Sequence, residues 1–117
     1  MEREARNITT VVASGGALSA VIDSTWAAGQ GLKTPAVLDA NTKIAFKVAE
    51  SAAGPFLPLY EDEFNQLVEV TVNVGEARSY VLPEKIFAWP FFKLWMENEG
   101  SDVNQIANRT FIVVQKS

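Results

Sequence analysis

Trp89-Pro90-Phe91-Phe92-Lys93-Leu94-Trp95-Met96-Glu97 holds two of the chain's three tryptophans and two of its seven phenylalanines around a single proline. With the period of two that a β-strand imposes, Phe92, Leu94 and Met96 share one face, and Phe91, Lys93, Trp95 and Glu97 share the other. The first face is wholly apolar and belongs in a core. The second mixes aromatic rings with opposite charges, which marks a strand whose outer side is partly adhesive. None of these residues is an obvious catalytic group.

The same alternation recurs on either side. In Lys43–Glu50, Ile44, Phe46 and Val48 oppose Lys43, Ala45, Lys47 and Ala49. In Leu67–Val74, Val68, Val70, Val72 and Val74 point inward, with Glu69, Thr71 and Asn73 outward. In Arg109–Gln115, Thr110, Ile112 and Val114 oppose Phe111, Val113 and Gln115. Shorter strands are expected at Thr9–Ala13 and Ala17–Asp23, joined as a hairpin through Ser14-Gly15-Gly16, and at 35–38 and Arg78–Leu82. Phe56–Tyr60 carries Pro58, which confines it to an edge. Pro83–Phe87 has the start of a single helical turn. Two glycines and a proline after Trp26 read as loop, and Asn98–Asn108 as a long polar excursion. Seven or eight short strands with turn signals about every ten residues predict an all-β fold. The expected architecture is one jelly-roll-like antiparallel sandwich over residues 9–117, preceded by a short polar arm over residues 1–8. A closed barrel is the second architecture.

Composition narrows the function. The 117 residues contain no cysteine and no histidine, so no disulfide, thiolate metal site or Ser-His-Asp or Cys-His nucleophile is available. A net charge of −4 with scattered basic residues disfavours nucleic acid as a partner. No apolar run approaches the roughly 18–20 residues of a membrane helix, and the polar N-terminal residues lack the apolar core of a secretory signal, which places synthesis in a cytoplasm. Glu61-Asp62-Glu63 lacks the alternating ligands and the glycine of a calcium loop, and Glu97–Asp102, although it has a glycine and mixed oxygen donors, reads as a solvated loop, so no metal and no cofactor is expected. A glycosidase carboxylate pair needs a sugar cleft that such short loops leave no room for. The expectation is a protein that is not an enzyme. The tryptophans then carry the signal, either as anchors of a protein interface or as stacking platforms for sugars.

The order of particular segments adds to this. Ala17-Leu18-Ser19-Ala20-Val21-Ile22-Asp23 is followed by Phe46-Lys47-Val48-Ala49-Glu50, then Phe56-Leu57-Pro58-Leu59-Tyr60-Glu61-Asp62 and the Val/Thr strand Val68–Val74. Tyr80-Val81-Leu82-Pro83, Phe87, Phe91-Phe92-Lys93-Leu94, Val103-Asn104-Gln105 and Arg109-Thr110-Phe111-Ile112-Val113-Val114 complete it. Over residues 17–115 this resembles a group of small β-sandwich proteins encoded among the structural genes of tailed bacteriophages and prophages. The resemblance implies a virion protein assembled in the bacterial host cytoplasm. Its implied role is a capsid decoration, or cement, protein that sits on the capsid exterior as a homotrimer and bridges subunits of the major capsid protein. A head-fibre or tail accessory that binds carbohydrate is the alternative. The acidic loop between Trp95 and Val103 departs from the Ser/Gly-rich connection of the group. On this reading the contacts fall on the arm (Glu2, Arg3, Arg6, Ile8), on Trp26, and on Trp89, Phe91 and Trp95.

Overall fold

The computed structural model of the chain describes residues 5–62 and 64–117. Its strands are β1 (Ala5–Val12), β2 (Ile22–Asp23), β3 (Gly29–Lys33), β4 (Lys43–Ala49), β5 (Leu57–Pro58), β6 (Glu69–Val70), β7 (Ser79–Val81), β8 (Phe91–Asn98), β9 (Ser101–Asp102) and β10 (Arg109–Lys116). A 3-10 turn spans Glu84–Ala88. The strands form two antiparallel sheets, β1-β10-β3-β7 and β2-β8-β4-β5, with β6 paired to β4 and β9 to β8. The first four strands alternate between the sheets, and the complete order is that of a jelly roll, as expected.

The core lies between the sheets. Ile44 and Phe46 of β4, Phe92, Leu94 and Met96 of β8, and Phe111 and Val113 of β10 are all fully buried. Phe46 and Phe92 meet edge to face with ring centroids 6.0 Å apart. Val68 and Val72 are buried as their alternation predicts, although only Glu69–Val70 of that segment joins a ladder.

Three local expectations are revised. First, β1 begins at Ala5 and pairs with β10 from Ala5↔Lys116 to Val12↔Arg109. Residues 5–8 are therefore strand rather than arm, and Ile8 packs on the core. Glu2 and Arg3 lie outside the described residues. Second, β1 and residues 17–23 do not form a hairpin ladder. They share one bridge, Val12↔Ser19, after which the chain runs beside β8 in the other sheet. The Gly15-Gly16 turn is drawn away instead, because Gly15 N–H donates to the Gln105 carbonyl at 2.7 Å and Gln105 N–H to the Gly16 carbonyl at 2.9 Å. Third, the strand expected at 35–38 is absent and β3 forms at Gly29–Lys33, read as loop. Gln30 and Leu32 face inward opposite Gln115 and Val113. Gly29 and Gly31 fall on the outer face, where the missing side chains leave no hole in the core; tertiary pairing overrides poor strand propensity.

With no disulfide, two buried glutamines tie the sheets at opposite ends. At one end, Gln105 Oε1 accepts from Asp39 N–H (3.0 Å) and Arg109 Nε (3.3 Å), and its Nε2 donates to Thr42 Oγ1 (3.2 Å) and the Val103 carbonyl (3.1 Å). The Arg109 guanidinium reaches the Asp39 carboxylate at 2.7 Å. At the other end, Gln115 Oε1 accepts from Trp26 Nε1 (3.0 Å) and Arg6 Nε (3.1 Å), while Nε2 donates to the Asp23 carbonyl (2.9 Å) and Gln30 Oε1 (2.8 Å). Each amide has both lone pairs and both N–H groups engaged, its full capacity. Removing either takes a partner from several polar groups at once, one of them buried, Gln30 for Gln115 and Thr42 for Gln105. Gln115→Ala is expected to cost about 3 kcal/mol in urea unfolding; a loss below about 1 kcal/mol would contradict this assignment of stability.

Candidate functional site

Of the residues the sequence singled out, the Gln115 end collects Arg6, Trp26, Trp89 and Phe91. Trp26 sits in the turn between β2 and β3, with the Arg6 guanidinium 4.4 Å from its ring centroid. The Asp23 carboxylate accepts the Thr25 N–H at 2.9 Å and the Thr25 hydroxyl at 2.7 Å. These bonds, the backbone one foremost, hold its pKa below the ordinary carboxylate value. Ser24 Oγ donates to the Trp89 carbonyl at 2.9 Å, which joins the Trp26 turn to Trp89. Trp89 ends the 3-10 turn that Pro83 opens and that the fully buried Ile86 pins to the core.

Beside Trp89 lies a groove of about 570 Å³, within the range of small-ligand and side-chain pockets. Its walls are the end of β4 (Val48, Ala49) with the following Glu50 and Ser51, the Gly54-Pro55 turn, β5 with Leu59, and Trp89. The lining is mainly aliphatic and aromatic, with Glu50 supplying one carboxylate. Leu57 stands at the groove 62% exposed. Trp89 has one property the other tryptophans lack. The Trp26 indole N–H is taken by Gln115 and the Trp95 N–H by Asp102, whereas among the described residues no acceptor reaches that of Trp89. The site thus offers a half-buried ring with a solvent-accessible N–H, an aliphatic wall and one carboxylate. It contains no nucleophile–base pair.

Phe91 lies half-buried at the same end, opposite Asp23 and Ala49. Trp95 does not join it. Period two puts Trp95 on the outer side of β8, as expected, but that side is covered there. Leu18 and Ala45 flank it, Lys47 Nζ lies 4.7 Å from its ring centroid, and Asp102 accepts its N–H at 2.7 Å, leaving it 4% exposed. Trp95 is a packing residue. What sequence reasoning missed is the opposing wall, Pro55, Leu57 and Pro58. The prolines bracketing Phe56-Leu57 in an otherwise apolar edge segment were its only signal.

A second pocket, about 290 Å³, opens on the outer face of the β4 sheet between Lys43, Gln66, Leu67, Glu69, Glu97 and Glu99. Glu97 is fully buried there. Its Oε1 accepts the Gly100 N–H at 3.1 Å, and no hydrogen-bond donor reaches Oε2. Burial, reinforced by the neighbouring Glu69 carboxyl, pushes its pKa up to about 7. Among the described residues no three His, Cys, Asp or Glu side chains converge in a way that could hold a metal ion.

The chain matches no family model, no curated protein and no solved structure. The two outer tryptophans are therefore distinguished by their own surroundings. Trp95→Ala is expected to cost about 3 kcal/mol or more, as truncation of a buried ring does, and Trp89→Ala about 1 kcal/mol. Equal losses in chemical denaturation would contradict the division into packing and surface residues.

Proposed function

We propose that this chain is a non-enzymatic structural subunit that docks on another protein through the Trp89 groove, acting as a capsid decoration protein of the tailed-phage type. The observation that carries the proposal is the half-buried Trp89 beside an open, largely apolar groove, its indole N–H without an acceptor. Such aromatic anchors dominate interface energetics where they fill or line pockets at the centre of a contact. The jelly-roll order agrees with this role at the level of fold, since viral shells and lectins both use it, and fold alone does not fix function. The absence of histidine and cysteine removes the commonest catalytic machinery. The partner is the major capsid protein, bridged where its subunits meet, and decoration subunits assemble as trimers around those positions. Arg6, Trp26 and Phe91 border the anchor at the same end of the sandwich, so a partner seated on Trp89 meets them next.

A carbohydrate reading has one observation in its favour, the same ring and N–H beside the Glu50 carboxylate, an arrangement suited to stacking and hydroxyl recognition. The test separates the two. Co-sedimentation with shells assembled from the major capsid protein encoded alongside this chain should show saturable binding. Trp89→Ala should weaken it about thirty-fold or more, with circular dichroism unchanged. Undiminished binding of the variant would overturn the assignment. Binding of host surface polysaccharide in place of shells would favour the carbohydrate reading.

A further inference from the structure

We propose that the Glu69–Glu97 carboxyl pair is a proton latch that holds β6 and the adjoining wall of the Trp89 groove onto the sheet, and that loss of its one shared proton loosens them. The regulatory half of this inference rests on the groove being the docking site. The latch itself does not.

The geometry starts from the register. Glu97 of β8 lies opposite Lys43 of β4, and Glu69 of β6 lies opposite Ala45, the next outward residue of β4. The two acidic side chains therefore lie on one face, diagonally across β4 over Lys43 and Ala45, and line the same pocket. The surrounding charges do not balance them. Lys43 Nζ approaches Glu69 Oε1 at 3.8 Å, while Glu99 lines the same pocket and Asp102 of β9 pairs opposite Glu97. Lys47, the next cation on this face, is placed over the Trp95 ring. Glu97 Oε2 is fully buried without a donor. A proton on that oxygen, donated to the Glu69 carboxylate, satisfies it. Without the proton, two anions face each other in a site with one ammonium.

Which element yields follows from how each is held. β8 is paired on both sides, by β4 and by β2, and its inner face is core. β6 is two residues long and forms its ladder with β4 alone. Repulsion is relieved by moving β6. The displacement has a route to the groove. Val68 N–H donates to the Leu59 carbonyl at 3.0 Å, and Leu59 N–H to the Phe46 carbonyl at 3.0 Å. Tyr60 and Leu67 form a bridge, and Leu57, Pro58 and Leu59 are the groove wall.

The direction of the linkage is fixed. The folded state keeps a proton that the unfolded chain releases near the ordinary glutamate value of 4.5, so the stability held by this group is complete below that value and declines as pH rises to about 7. The chain has no histidine to dominate the same range.

The test is amide protection measured by NMR on the free protein at pH 6 and pH 8, expressed as protection factors so that intrinsic exchange rates cancel. The latch predicts that protection at Val68, Val70 and Leu59 falls several-fold, up to about tenfold, from pH 6 to pH 8, while Val113 of β10 changes little. Glu97→Gln should abolish the difference, and Glu69→Gln, which removes the facing charge at a less buried position but leaves Glu97 buried, should reduce it. Equal protection at the two pH values in the wild-type protein would overturn the latch, as would a fall that persists in both variants. Loss at Val68 and Val70 with Leu59 unchanged would overturn the regulatory half. Because no partner is present, none of these outcomes depends on the docking proposal.

Discussion

The Gln115 side chain is the constraint on which the tryptophan end depends. It lies at the close of β10, on the last inward position of the central strand pair, and joins β1 and the stretch from Asp23 to Gln30, both distant from it in sequence. Arg6 comes from β1, Asp23 and Trp26 from the crossing between sheets, and Gln30 from β3. A leucine here would fill comparable volume but leave an indole N–H, a guanidinium edge and a buried amide oxygen without partners. The geometry has a functional consequence. Trp26 is turned inward and satisfied, the Ser24 hydroxyl beside it reaches Trp89, and Trp89 is left at the surface. Gln105 performs the corresponding closure at the far end, where it fastens the three loops around Gly15, Asp39 and Val103. Together the two amides give a cysteine-free sandwich cross-sheet ties that apolar packing, being non-directional, does not supply.

The periodic strands were legible because their alternation is local. Ile44, Phe46, Phe92, Leu94 and Met96 all took the apolar face that period two assigns them, and in β10 the Phe111–Val113 face is the buried one. The failures arose where a partner distant in sequence decides. Gly29–Lys33 looks like loop on propensity, yet β10 recruits it because Gln30 and Leu32 have inward neighbours waiting. Residues 5–8 look like a polar arm, yet β10 offers them a complete ladder. The Gly15-Gly16 turn looks like a hairpin turn, yet Gln105 claims its backbone groups.

The candidate site was partly legible for the same reason. Three tryptophans in a chain with no nucleophile–base pair pointed to binding, and Trp89 is where the structure leaves a ring and its N–H accessible to solvent. Period two placed Trp95 on an outer face correctly. That face is covered by Leu18 and by the β9 hairpin folding back after Gly100, a fact of tertiary structure invisible to a strand pattern. Glu97 illustrates the limit from the other side. Its sequence neighbours make it look like part of a solvated acidic loop, and only the approach of β6 across Ala45 turns it into a buried carboxyl facing another.

The proposed function gives these features one logic: a rigid sandwich whose folding needs no redox chemistry, carrying one aromatic anchor at an end that both sheets support. Hydroxyl-radical footprinting of tryptophan, read by mass spectrometry on the free protein and on capsid shells, tests that logic most directly. Trp89 should be oxidised readily in the free protein and protected on the shell, while Trp95 reacts slowly in both. Unchanged oxidation of Trp89 on decorated shells would contradict it.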